Sequence, residues 1–257
     1  MVFLEYLLQP DATRPLLVAG VFFLAGVVKG VVGLGLPTVS MALLALWMAP
    51  AEAAALLVVP SLVTNVWQTR PWATLVPLLR RIAPLQGGVC VGTLVGAWLL
   101  GAPAGAWATV LLGLALVAYA AWALSGATMS VAPPTQRWLG PLVGVVTGLV
   151  TAATGVFVVP AVPYLQALGL ERDALVQAIG FSFTVSTLAL AVGLFFTAHY
   201  SGIQLGISML MLLPALAGMG AGQLLRQRLS PTLFRTFFLV SLVVLGVHMV
   251  AREVLSQ

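Results

Sequence analysis

Apolar runs of about 18 residues or more recur along the chain from Leu16 to His248, each long enough to cross a hydrocarbon core about 30 Å thick at 1.5 Å per residue. The runs are continuous, with no alternation of apolar and polar positions, which excludes a β-barrel. Charged residues are 7% of the sequence, against about 25% in a soluble domain, so the chain lacks the charge to cover a water-facing surface. It reads as an all-α polytopic membrane protein, a single membrane domain over residues 1–257 with the lipid bilayer as its surroundings.

Helical stretches are expected at 16–47, 51–67, 82–100, 104–124, 139–168, 174–198, 203–225 and 233–250. The first and fifth run to roughly thirty residues, too long for one ordinary span. Each carries Gly and Pro in its middle: Gly33-Leu34-Gly35-Leu36-Pro37 in one, Thr154-Gly155 through Pro160 in the other. Such a segment reads as a helix, a break and a second helix. Each opens one half of the chain, and Pro84, Gly88 and Gly92 near the end of the first half are matched in register by Pro214, Gly218 and Gly222. The pattern predicts an internal duplication, with repeats over 14–124 and 138–252.

Charge orients the repeats. Arg70, Arg80 and Arg81 are read as belonging to the loop between the second and third stretches, while the corresponding loop of the second half, His199-Tyr200-Ser201-Gly202, has no Lys or Arg. One loop further on the pattern reverses: Gly101-Ala102-Pro103 is bare, and Arg226, Arg228 and Arg235 flank its counterpart. Parallel repeats would split these arginines between the two faces, whereas inverted repeats gather them on one, which the positive-inside rule makes cytoplasmic. Inversion needs an odd number of crossings per half, supplied by a broken, re-entrant helical hairpin followed by three transmembrane helices. Arg137 and Arg172 bracket the second long segment, as expected if both its ends face the cytoplasm. Arg14 dissents.

A break inside a bilayer exposes backbone groups that lipid cannot satisfy, so it must be buried in protein or line a wet cavity. Two breaks from inverted halves are expected to meet near the midplane, where carriers bind substrate. Gly33, Gly35 and Gly155 would let the backbone approach a ligand, with Pro37, Thr154 and Pro160 beside them. Lys29 is the sharpest candidate. It is the one lysine of the sequence, well inside the first apolar segment, where insertion costs roughly 3 kcal/mol. A snorkelling stem is the bland alternative. The acidic residues, Glu5, Asp11, Glu52, Glu171, Asp173 and Glu253, all lie near segment ends, so a small anion from outside the chain is the natural partner. Ser61, Thr64, Asn65 and Gln68 in the first half, and Ser182, Thr184, Ser186 and Thr187 in the second, are the neutral donors that could complete such a site, against the alternative that they bond their own helices.

Other readings are set aside. The net charge of +5 reflects few acids, spread arginines and no basic patch for nucleic acid. No HExxH, GxSxG, P-loop or intramembrane Asp pair is present, two histidines and one cysteine suit no ordinary metal site, and no cofactor is implied. Cys90 reads as a packing residue and His199 as an interface residue. Met1 to Pro10 carries no basic residue, which argues against a cleaved signal peptide. Gly88/Gly92/Gly96, Gly140/Gly144/Gly148 and Gly218/Gly222 make smooth helix faces for close packing, within the chain or between subunits of a homo-oligomer. Trp47, Trp67, Trp72, Trp98, Trp107 and Trp138 lie near segment ends, where an aromatic belt belongs.

The two Gly-Pro breaks, the paired polar helices, the stretch from Gln177-Ala178-Ile179-Gly180-Phe181-Ser182-Phe183 through His199-Tyr200-Ser201-Gly202, and the ending from Ala221-Gly222-Gln223 through Arg228-Leu229-Ser230-Pro231 to Arg235 together resemble the sulfite exporter TauE/SafE family. Both halves depart from that family's Gly-Thr-Ser after the break, which appears here as Gly180-Phe181-Ser182 in the second half and as Val59-Pro60-Ser61 in the first. The resemblance implies a multi-pass carrier of the bacterial cytoplasmic membrane for sulfite, thiosulfate or small organosulfonates. The expected function is export of such an anion by alternating access. The alternatives are import of the same anions, carriage of another small organic anion, and a non-transporting membrane scaffold.

Overall fold

The computed structural model describes residues 13–101, 103, 105–127, 129–197, 202–228 and 230–255, and every regular element among them is helical. In chain order these are α1 (Thr13–Val32), α2 (Leu36–Leu44), α3 (Pro50–Gln68), α4 (Leu75–Leu100), α5 (Gly105–Ser125), α6 (Pro133–Thr154), α7 (Ala161–Ala167), α8 (Arg172–Phe196), α9 (Gly202–Arg226) and α10 (Pro231–Leu255), with a 3-10 turn at Trp72–Thr74 leading into α4. Seven of the described helices, α1, α3, α4, α5, α8, α9 and α10, are long and apolar enough to cross a membrane. The chain is a polytopic helical membrane protein. His199 and the residues before Thr13 lie outside the described residues, so the expectations placed on them have no counterpart here.

Both long segments are broken where expected. Gly33 and Gly155 adopt φ of 82° and 70°, the left-handed region that a side chain disfavours. Their N–H groups donate to Lys29 O and Thr151 O, each at 2.8 Å, closing the last turns of α1 and α6 in the same way. Pro37 sits in the first turn of α2, where its missing N–H costs nothing.

The second hairpin returns to where it began. Val131 N–H donates to Ala167 O at 2.9 Å. Arg81 ties the start of α6 to the end of α7, donating from Nε to Gln136 Oε1 at 3.1 Å and from Nη2 to Leu168 O at 2.6 Å. Its feet therefore stand at the beginning of α4. Those of the first hairpin stand at the other end of that 26-residue helix: Ala51 N–H donates to Pro103 O at 2.9 Å, in the α4–α5 turn, and Arg252 Nη1 donates to Leu46 O at 2.8 Å.

The arginines follow this geometry, with two corrections. Arg80 and Arg81 are not loop residues: α4 begins at Leu75 and carries both in its opening turns, because a guanidinium on a long stem can reach out from a helix end. Arg252 joins Arg14 as a basic residue at the end away from the other arginines.

Glycine faces set the long contacts, α1 against α9 and α4 against α6. Gly218 rests on Phe23 O and Gly222 on Val27 O; in the same way Gly88 rests on Pro141 O and Gly92 on Val145 O. Gly26 meets Ala215 and Met219 as Gly144 meets Leu85 and Val89, and Gly30 meets Met219 and Gln223 as Gly148 meets Val89 and Thr93. These contacts fit the register read in the sequence, Gly218 with Gly88 and Gly222 with Gly92. The outer faces are apolar, with Trp98 82% and Phe196 78% exposed, as lipid-facing aromatics near helix ends should be.

Candidate functional site

Lys29 is buried, 5% exposed, on the last turn of α1. Gly30, next to it, brings α9 close: a Cβ there would lie 2.4 Å from Met219 O. Nζ of Lys29 donates to Asn65 Oδ1 on α3. Asn65 Nδ2 donates to Ser61 Oγ at 3.0 Å, and Ser61 Oγ meets Thr187 Oγ1 on α8 at 3.1 Å. A buried polar chain thus runs from the ammonium through α3 to α8, with no carboxylate in it.

The helix that carries this chain has a proline inside it. Pro60 lies inside α3 and cannot donate to Leu56 O. Ser208 of α9 repairs the gap, donating to Leu56 O at 2.8 Å and accepting from Val59 N–H at 3.0 Å. In a membrane those backbone groups have no water to turn to.

A cavity of about 490 Å³ opens beside Lys29, of a size usual for small-molecule sites. Gly33 and Thr64 line it with Lys29; Gln68, Gln223, Arg226 and Gln227 form its mouth at the arginine-rich end. Lys29 stands at its base, Arg226 and the three amides stand at its mouth, and no acid is among the lining residues. Gln68 closes part of the mouth by donating to Val176 O at 3.1 Å.

The other residues expected at the site are distributed elsewhere. Gly35 packs near Val28 and Phe238, and Pro37 is buried in α2. Ser182 accepts from Gln86 Nε2 at 2.6 Å. Thr184 donates to Gly180 O at 2.8 Å and Thr154 to Val150 O at 2.7 Å, both within their own helices. Ser186 is buried in α8. Gly155 lies against Met41 and Ala54, and Pro160 precedes α7. The two breaks do not meet at mid-depth. The first lies beside Gln68 and Arg226, and the second beside the opening turns of α3, because α1 and α6, at 20 and 22 residues, carry each break about 30 Å. Gln223, Arg226 and Gln227 were missed as site residues. Their signal is polar spacing of three and four along the end of an otherwise apolar helix.

A bundle of membrane-spanning helices that buries a cationic, amide-lined cavity among its spans is a membrane transport protein in its design. The family model described as Sulfite exporter TauE/SafE matches residues 18–249, and the chain belongs to that family. No curated protein and no solved structure matches it.

Proposed function

We propose that this chain carries a small sulfur oxyanion or organosulfonate out of the cytoplasm, across a bacterial cytoplasmic membrane, as a secondary transporter and not as an enzyme. The observation that carries the reading is Lys29: a buried ammonium at the base of an open cavity, held by a neutral amide, with no acid in the wall. An entering anion supplies the missing charge. The arginine-rich end is the cytoplasmic one on the positive-inside rule, so the cavity faces the cytoplasm.

Feet at opposite ends of α4, and an antiparallel α3 and α8 in which Gln177 Nε2 donates to Thr69 O at 2.7 Å, support reading the halves as inverted repeats. A negative-inside potential of 100 mV favours export of one negative charge by about 2.3 kcal/mol, so export requires no ATP. The test is flux of radiolabelled sulfite, thiosulfate and a panel of sulfonates from proteoliposomes under an imposed potential. Efflux that grows with polarisation is expected; no flux of any of these anions overturns the proposal, and accumulation against the potential overturns its direction.

A further inference from the structure

The open cavity has a closed counterpart. At the other end of the bundle α4, α6 and α8 enclose a space of only about 10 Å³. The glycine contacts described above set Thr93 against Gly148 as Gln223 is set against Gly30, and by the same register Ala97 matches Gln227. Gln223 and Gln227 line the open space, and Thr93 and Ala97 the closed one. On the other helix pair, α3 lines the open space with Thr64, Trp67 and Gln68, and α8 lines the closed one with Leu190, Gly193 and Leu194. α1 lines the open space with Gly30, and α6 the closed one with Ala152. The closed space thus lies among α4, α6 and α8, which correspond in chain order to α9, α1 and α3 around the open one.

We propose that this collapsed space is a second anion site, the one from which the sulfur oxyanion leaves at the far face, and that α4 and α8 part there when the Lys29 cavity closes. The inference rests on the transport function proposed above. Thr93 is the independent sign of a ligand. It is wholly buried, lines the space, and its hydroxyl has no partner, a cost that water or an oxyanion would relieve once the space opens. The seal is small and apolar: a Cβ at Gly193 would lie 2.9 Å from that of Ala97. The two sites differ in charge. Thr151, whose carbonyl closes the last turn of α6 as that of Lys29 closes α1, has its hydroxyl bonded to Thr147 O at 2.7 Å. The far site offers hydroxyls and no cation, so an anion is held on entry and released on exit.

The experiment places Ala97→Cys and Gly193→Cys together in full-length protein with Cys90→Ala. Cβ atoms of a disulfide stand about 3.8 Å apart, within a small shift of this contact. Oxidation is expected to abolish radiolabelled sulfite flux, reversibly on reduction, while sulfite still binds at the Lys29 cavity by calorimetry. Separately, Thr93→Cys is expected to react with an impermeant methanethiosulfonate from the face opposite Arg226 only during turnover. Flux that persists with the disulfide formed, or a Thr93→Cys that stays protected during turnover, overturns this site alone. Absence of flux in the parent overturns both this site and the transport function. If the double variant does not fold, Thr93→Cys decides.

Discussion

Lys29 and Asn65 join the two halves of the candidate site: the ammonium on α1 is held by the amide oxygen on α3, and the same amide donates onward to Ser61 at 3.0 Å. An amide dipole partners an ammonium without cancelling its charge. That choice keeps the cavity attractive to an anion, where a carboxylate would have neutralised it.

Asn65→Asp tests this directly. The new carboxylate would pair with Lys29, so the protein should fold with normal yield, since the buried charge is matched. Sulfite affinity, read by calorimetry, should fall by about tenfold to a hundredfold, the worth of a charge-assisted hydrogen bond. Unchanged affinity would place the anion away from Lys29.

Ser208 repairs the backbone of α3 opened by Pro60. Ser208→Ala should destabilise the protein by about 1–3 kcal/mol, since Leu56 O, which Pro60 cannot reach with an N–H, would lose its donor. Pro60→Ala in the same chain returns an N–H to Leu56 O, so the double variant should melt higher in detergent than Ser208→Ala alone. Strictly additive losses would mean that the two residues act separately.

Gly218 and Gly20 make a matched pair of glycines. A Cβ at Gly218 would lie 2.0 Å from Phe23 O, while one at Gly20 meets nothing within 4 Å. Gly218→Ala should cost about 1–3 kcal/mol or more by forcing α1 from α9. Gly20→Ala should be neutral or stabilising, because alanine is the better helix former by about 1 kcal/mol. Equal melting temperatures would refute this packing.

Cysteines placed at Arg80 and Arg226, both exposed at the arginine-rich end, should be labelled by an impermeant reagent from the cytoplasmic face only. Labelling from opposite faces would restore parallel halves and remove the reading of an exit path as the image of the entry path.

The breaks at Gly33 and Gly155 are legible in the sequence because Gly and Pro interrupt apolar runs too long for one span. Lys29 is legible by its solitude. The start of α4 is not, because Arg80 and Arg81 look like a loop when hydropathy alone is weighed, while a helix can carry them on stems that reach out of the bilayer. The cavity wall is also hidden. Gln223 and Gln227 belong to the other half of the chain, and nothing in their spacing says that α9 packs beside α1 and not beside a nearer neighbour.

Lys29 itself should supply the positive charge that holds the anion. It stands at the base of the cavity, one turn before the Gly33 break, while Arg226 stands at the mouth and is exposed to solvent. Charge in a desolvated site acts more strongly than the same charge in water, so Lys29 should dominate affinity and Arg226 chiefly the rate of entry. Lys29→Met keeps most of the stem volume and removes the charge. Sulfite binding should weaken by about tenfold to a hundredfold, with folding and yield preserved because an unpaired buried charge has been removed. Lys29→Arg should fall between, since the broad guanidinium meets Asn65 and the ligand with a different geometry. Arg226→Gln should slow uptake into the cavity at low salt and leave equilibrium affinity nearly unchanged. Calorimetry and flux on the three variants separate these effects. Wild-type affinity in Lys29→Met would show that the ammonium serves only to hold Asn65, and that the amides of Gln68, Gln223 and Gln227 carry the anion.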